Sequence, residues 1–340
     1  METVLVTGGT GYIGSHTAVE LMESGYDVVI VDNLFNSLIE VLDGIEAISG
    51  KRPAFEEFDL CGKDQVFELF KKYDISAIIH FAAMKAVGES VEKPLEYYHN
   101  NLTSLLNLLD AMRKFDTPYM VFSSSCTVYG QPDKLPVSES AAIKKAMSPY
   151  GNTKQIAEEI IQDAIHAIPS IHAISLRYFN PIGAHPSAEI GELPLGVPQN
   201  LVPFVTQTAA GLREKLRVFG DDYDTPDGTA IRDYIYICDL AKAHVVAVRR
   251  LLEKENKKPF EVFNLGTGKG SSVLEIIQSF ERATGLKLNY EIAGRREGDI
   301  EKVWADTKLA NEELGWRADT PLEKILASAW KWEKKIRNLD

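Results

Sequence analysis

The sequence is poor in cysteine, holding Cys61, Cys126 and Cys238 in 340 residues. An odd and widely spaced set forms neither a zinc pattern nor a disulfide framework, so no metal is expected and a reducing cytoplasm is the expected setting. Long apolar runs are missing too: none reaches the ~18 residues of a membrane helix. The N-terminus enters a strand-like Thr3-Val4-Leu5-Val6 without a basic leader, as expected of an untargeted cytoplasmic chain. Positive charge is scarce, with 37 Lys and Arg against 49 Asp and Glu and a net charge of −12. Such a body repels phosphate backbones and anionic lipid at long range, so neither nucleic acid nor membrane is expected as a partner. Any anionic ligand must be held by local donors. Repeats, low-complexity stretches and Gly/Ser linkers are absent, so the whole length reads as folded elements.

What is present is an ordinary globular balance, 45% hydrophobic and 25% charged, over a length that fits one large α/β domain or two domains sharing a cleft. Short apolar runs at 3–7, 28–32, 54–59, 76–81, 119–123 and 172–178 are bounded by turn residues, and several lack polar alternation, as parallel strands covered on both faces do. Amphipathic stretches lie between them, such as Ile13, Thr17, Ala18, Leu21 and Met22 on one helix face. The fold class expected is α/β, a doubly wound parallel sheet of Rossmann type with a smaller C-terminal substrate-binding α/β domain. Residues 1–180 form the first part. From 181 to 340 the chain turns to loops rich in Pro and Gly, and buried-strand texture returns at 231–238 and 260–265. Two courses stay open: a clean split near 180, or a return of 231–262 to the first sheet.

The first strand runs into Gly8-Gly9-Thr10-Gly11-Tyr12-Ile13-Gly14 and then into the first helix. Gly8 permits the tight turn, Gly11 lets backbone approach a pyrophosphate, and Gly14 allows close helix packing, while the helix N-terminus offers N–H groups to phosphate. The second strand ends in Asp32, where a carboxylate accepts from adenosine ribose hydroxyls and repels a 2′-phosphate, selecting NAD over NADP. The alternative is that Asp32 caps the next turn with Asn33. Asp59 closes the third strand and Phe81-Ala82-Ala83 the fourth, both at the ligand-binding ends of an open sheet. His80 reads as core.

Ser148-Pro149-Tyr150 opens a helix, with Ser148 as N-cap and Pro149 in the first turn. Lys154 follows Tyr150 by four residues and shares its face. The fifth strand ends in Ser123-Ser124-Ser125, a hydroxyl cluster on the cofactor side of the sheet. A phenol serving as base near neutrality needs its usual pKa of ~10 lowered by about three units, or ~4 kcal/mol. An ammonium at ~5 Å supplies roughly 3 kcal/mol at an effective dielectric of ~20, and an oxidised nicotinamide adds a second positive charge.

Together the glycine motif, Ser125, the Tyr150/Lys154 pair and Asn180-Pro181 resemble the extended short-chain dehydrogenase/reductase family over essentially the whole chain, most closely its sugar-nucleotide 4-epimerases. In Ser125-Cys126-Thr127-Val128-Tyr129-Gly130 the chain lacks the carboxylates that dehydratases and decarboxylases of the family carry after the hydroxyl residue. The resemblance implies tightly bound NAD, held by Gly8, Gly11, Tyr12, Ile13, Gly14, Asp32, Asn33, Asn36, Ser37, Asp59, Leu60, Phe81, Ala82, Ala83, Lys85, Asn100, Ser123, Tyr150, Lys154 and Tyr178. In the family pattern Asn100 follows paired tyrosines ahead of the next helix. For a UDP-sugar it implies Ser125, Tyr150, Tyr178, Phe179, Asn180, Asn200, Leu201, Val218, Phe219, Arg232, Arg296, Asp299 and Val303. Physically, Arg232 and Arg296 can fork onto pyrophosphate oxygens and Asp299 can accept from ribose. Read without the family, Arg295-Arg296-Glu297 is a solvated charge run.

The activity implied is reversible C4 epimerisation of UDP-galactose and UDP-glucose, with Tyr150, Lys154 and Ser125 as the catalytic group. Val303, at a position where narrow-range family members often carry tyrosine, extends that expectation to N-acetylated UDP-hexosamines. Two other readings remain: a UDP-sugar dehydratase or decarboxylase, and a non-catalytic NAD-sensing module. Leu102, Leu105, Leu106, Leu108, Leu109 and Met112 span about 160° of helix circumference, wider than the usual stripe facing one sheet. With the family's habit, this implies a two-fold homodimer through that helix and the one after Tyr150.

Overall fold

Val4, Leu5 and Val6 are all fully buried, yet they serve different cores. Successive side chains of a strand point to opposite faces, so Val4 and Val6 enter one cluster and Leu5 the other. Val28 and Ile30 against Val29 and Val31 repeat the division. The runs without polar alternation are therefore strands packed on both faces. The computed structural model describes residues 2–296 and 300–339.

The chain begins β1 (Thr3–Thr7), α1 (Tyr12–Glu23), β2 (Asp27–Asp32), α2 (Val41–Ser49), β3 (Ala54–Glu57), α3 (Lys63–Lys72), β4 (Ala77–His80), α4 (Val87–Glu92), α5 (Pro94–Lys114), β5 (Tyr119–Ser125), α6 (Pro149–Ala167) and β6 (His172–Tyr178). It continues through β7 (Asn180–Ile182), α7 (Leu201–Ala209), β8 (Leu216–Phe219), β9 (Ile231–Arg232), β10 (Tyr234–Tyr236), α8 (Ile237–Leu252) and β11 (Phe260–Leu265). Last come β12 (Ser271–Ser272), α9 (Val273–Thr284), β13 (Tyr290–Ala293), β14 (Lys302–Val303), α10 (Lys308–Glu313) and α11 (Leu322–Arg337).

Seven strands form the central sheet in the order β11-β6-β5-β4-β1-β2-β3, every pair parallel. This is the doubly wound arrangement expected, with α1 and α8 packed together and α5 packed against both α3 and α6. Order reverses between β1 and β4, the place where open α/β sheets take ligands. β11 adds residues 260–265 to the sheet edge. Residues 231–238, read as strand, split into two short pieces outside it, β9 between β12 and β14 and β10 beside β7, while Ile237 and Cys238 open α8.

One element departs from expectation. The helix holding Leu102 to Met112 is expected after Asn101, with Asn100 ahead of it, but α5 starts at Pro94 and runs through both asparagines. Proline suits the first helical turn. Asn101, 6% exposed, accepts the Met84 N–H at 2.8 Å and donates to the Met84 carbonyl at 3.0 Å, so tertiary bonds override its weak helix propensity.

Candidate active site

Register sets Thr7 beside both Val31 and His80, His80 beside Phe122, and Ser125 beside Tyr178. The carboxyl ends of five strands thus form one rim, and the expected cofactor residues lie along it.

Gly8 has φ +68°, and a Cβ there would stand 2.8 Å from the Ala82 nitrogen. The turns after β1 and β4 therefore touch at the switch point. A Cβ on Gly14 would meet the Gly8 carbonyl oxygen at 2.3 Å, so helix and turn can close only around glycine. Gly11 is the N-cap of α1, with no side-chain cap among the described residues, and the first-turn N–H groups of Tyr12, Ile13 and Gly14 lack intrahelical acceptors by geometry. That cradle suits an anion. The Tyr12 phenol is used elsewhere, donating to the Gly183 carbonyl at 2.6 Å.

Asp32, 8% exposed, accepts from the Thr10 N–H at 3.2 Å, the Leu34 N–H at 3.0 Å and the Ser37 hydroxyl at 3.3 Å. Its carboxylate thus ties the glycine turn to the loop that carries Asn33, Asn36 and Ser37. Asn33 donates to Asp59 at 3.2 Å, and Asp59 accepts the Cys61 N–H at 2.8 Å. Leu60 is buried, its carbonyl held by Asn107 at 2.8 Å. Phe81, Ala82 and Ala83 are half-buried, with the Thr7 hydroxyl accepting the Ala82 N–H at 3.3 Å. His80 is buried on that same hydroxyl, and desolvation pushes its pKa down to about 3. Lys85 is exposed and its charge acts on Glu192, whose carboxylate accepts from Asn200 at 2.6 Å. Asn100 is half-buried and donates to Asn101 at 2.9 Å.

Ser148 caps α6, accepting the Gly151 N–H at 3.1 Å, with proline in the first turn. This start turns Tyr150 and Lys154 toward the end of β5. Lys154, 4% exposed, donates to the Ser123 carbonyl at 2.7 Å and lies 4.8 Å from the Phe122 ring centroid and 6.0 Å from that of Tyr150. Burial pulls its pKa down to about 8, against the pull of Glu158. The Ser123 hydroxyl pairs with the Tyr178 phenol, and the Ser125 hydroxyl accepts the Thr127 N–H at 3.2 Å.

At Tyr150 desolvation adds a cost that a count of nearby cations omits. Burial pushes its phenol up to about 12, with a hydrogen bond from Ser125 working the other way. The expected depression counted cations and left out desolvation, which is the larger effect within the chain itself.

On the substrate side, Phe179 is buried and Asn180 half-buried, the latter's N–H donating to the Asp233 carbonyl at 2.9 Å. Exposed Asn200 and half-buried Leu201 open α7. Val218 turns wholly into the core, leaving Phe219 on the open face with the Arg296 guanidinium 5.7 Å from its ring. Arg232 donates to the Ile231 carbonyl at 2.9 Å and acts electrostatically on Cys126, beside Ser125. Arg295 is taken by Asp222 at 2.6 Å. Asp299 lies outside the described residues. Val303 is 7% exposed and packs with Val128, Tyr129, Val137, Phe179 and Ala305.

Three positioning groups went unread in the sequence. Asp233, fully buried, accepts from the Thr267 N–H and hydroxyl at 2.8 and 2.7 Å and the Ala305 N–H at 3.1 Å, fixing the strand that carries Arg232. Asn101 pins the loop after β4, and Glu158 gathers β5 and β6. The available signal was adjacency alone: Asp233 follows Arg232, and Glu158 continues the i, i+4 series from Tyr150.

The family model described as GDP-mannose 4,6 dehydratase matches residues 5–329. A UDP-glucose 4-epimerase of Bacillus subtilis (strain 168) is 49% identical over 335 residues, covering 98% of each chain. The crystal structure of UDP-glucose-4-epimerase from Stenotrophomonas maltophila, with bound NAD and formylated UDP-arabinopyranose, superposes with a TM-score of 0.96 at 46% identity, covering 99% of both chains. That of UDP-glucose 4-epimerase from Bifidobacterium longum, in complex with NAD+ and UDP, gives 0.94 at 46% identity over 99% of both. The family model is broad enough to include dehydratases, while these full-length likenesses agree with the missing carboxylates at Cys126 and Thr127. The chain belongs to the extended short-chain dehydrogenase/reductase family, among its UDP-glucose 4-epimerases.

Proposed function

We propose that the protein interconverts UDP-galactose and UDP-glucose by transient oxidation at C4. The observation that carries this reading is Tyr150 and Lys154 brought to Ser123–Ser125 at the end of β5, with Cys126 and Thr127 where an eliminating enzyme needs acids. The glycine cradle, the uncapped start of α1 and buried Asp32 fit a dinucleotide. When bound, NAD supplies a reversible two-electron oxidation with no net redox change.

The chain's residues do the rest. Tyr150 takes and returns the proton of the 4-hydroxyl, Ser125 holds the same oxygen, and the Lys154 ammonium favours the phenolate. Arg232, Arg296 and Asn180 hold the diphosphate. Inversion requires the hexose to present both faces to one site, so UDP must stay anchored while the sugar turns. The test is incubation with UDP-galactose and no added NAD: UDP-glucose of unchanged mass is expected. Loss of water or carbon dioxide would favour the dehydratase or decarboxylase reading, and an inert protein the sensing module.

We assign residues 1–180 with α8 and β11 to the dinucleotide, and the rest of 181–340 to the UDP-sugar. Three unpaired cysteines suit a cytoplasmic setting, and no helix among the described residues is long and apolar enough to cross a membrane. We also propose a two-fold homodimer through α5 and α6. The leucine stripe supports it less than its width implied: Leu105, Leu108, Leu109 and Met112 are covered by the chain itself, while Leu106 is 48% and Leu95 80% exposed. Light scattering at micromolar concentration is expected to give twice the 37.8 kDa chain mass, and Leu106→Glu with Leu95→Glu to return it to a monomer.

A further inference from the structure

One turn beyond Lys154 on α6 stands Glu158, a carboxylate only 4% exposed. Burying a charge costs heavily unless it is paired and hydrogen-bonded. Its Oε1 accepts from the Ser124 hydroxyl at 2.6 Å, the Ser175 hydroxyl at 2.7 Å and Arg177 Nε at 2.9 Å, and Arg177 closes the fork onto Oε2. Arg177 also donates to the Tyr129 phenol at 3.0 Å, which donates to Asn264 at 2.7 Å. Carbonyl and side chain of consecutive β5 residues hold the two ends, Ser123 taking Lys154 and Ser124 binding Glu158. Ammonium and carboxylate are thereby fixed to one rigid strand.

Stability alone is a weak reason for such a pair, since buried ion pairs are often replaceable by apolar residues. The groups around Lys154 give a better one. From its own helix come the Tyr150 phenol and Glu158; from β5, the Phe122 ring and the Ser123 carbonyl; from β4, His80; from β6, Arg177 behind Glu158. The phenol and the imidazole are neutral near pH 7, and Glu158, one helical turn on, is the anion whose charge acts on the amine. We propose that Glu158 is a positioning residue for the reaction: clamped by Ser124, Ser175 and Arg177, it is the counter-charge that keeps the buried Lys154 amine in its ammonium form. The inference rests on the epimerase reading, in which that ammonium supports Tyr150. Desolvation alone drives Lys154 toward neutrality, and Glu158 opposes it.

The test is the pH profile of kcat with UDP-galactose, from about pH 6 to about pH 10, on NAD-loaded protein. Wild type is expected to lose activity as Lys154 deprotonates. Glu158→Gln, which keeps an acceptor oxygen for the serines, should move this alkaline limb down by roughly one pH unit, the scale of one charge several Å away. Arg177→Gln removes the opposing cation and should move it up. A charge effect gives opposite signs; structural damage gives the same sign or none, and either result overturns the proposal. Should Glu158→Gln not fold, the direction in Arg177→Gln still decides, upward supporting the counter-charge and any other result overturning it. Lys154→Met separates the two readings: a limb that persists without the amine overturns the role of Lys154 itself, whereas a limb abolished there but unmoved by Glu158→Gln overturns Glu158 alone.

Discussion

Tyr150→Phe is expected to lower turnover of UDP-galactose by at least ~10²-fold, the usual scale for a positioned acid/base, while UDP binding measured by calorimetry changes little. The substitution removes one oxygen from a half-buried side chain and leaves its ring, so the site keeps its shape. The size of the loss follows from how hard the phenol has to work. Burial holds it up near 12, so at neutral pH it is a poor base until positive charge lowers it. The same water-poor surroundings strengthen the field of each nearby cation. Lys154 supplies one such charge from the chain, 6.0 Å from the ring centroid, and oxidised NAD the other. Substrate binding without the cofactor's charge is therefore expected to leave the proton on Tyr150. Turnover of Tyr150→Phe within about tenfold of wild type would remove the phenol from the mechanism.

The reading of that pair was open in the sequence because its chemistry has a spacing. Tyr150 and Lys154 at i and i+4, the glycines at 8, 11 and 14, and the hydroxyls at 123–125 are short-range patterns, each with a strand or helix start beside it. The central strands were open for a related reason: a strand covered on both faces has no polar alternation to confuse it. What stayed closed depends on tertiary partners. Glu158 only continues the face of Tyr150 and Lys154, with no role of its own to read, until β6 brings Arg177 and Ser175 against it. Asn101 has nothing in the sequence to single it out until Met84 supplies two backbone bonds. The width of the leucine stripe on α5 is judged against one facing sheet, whereas α3 and α6 also flank the helix and Leu105, Leu108, Leu109 and Met112 are buried. In each case the missing information was which element stands opposite, and spacing along one element cannot give it.

Val303→Tyr is expected to abolish conversion of UDP-N-acetylglucosamine while sparing that of UDP-galactose. The position reads as lying beside the sugar's 2-substituent, and β14 sets Val303 in register with Arg232 of β9, a candidate diphosphate ligand. Valine there is 7% exposed and shares a small apolar cluster with Phe179 and Tyr129. A tyrosine ring in the same place has two courses: into the cluster, displacing Phe179 and costing about 1 to 3 kcal/mol in overpacking, or outward into the space for the 2-substituent. The cluster is already filled, which favours the outward course. An acetamido group would then clash where a hydroxyl does not. Space alone does not make the larger sugar a good substrate, because a buried amide without a partner costs roughly 1 to 3 kcal/mol, so wild type is expected to turn over UDP-N-acetylglucosamine measurably but more slowly than UDP-galactose. Thermal melting of the variant separates the courses, since overpacking lowers the midpoint by several degrees and an outward ring leaves it near wild type. The idea is lost if wild type yields no UDP-N-acetylgalactosamine under conditions that convert UDP-galactose, for then Phe179 or another neighbour already closes the space that valine leaves.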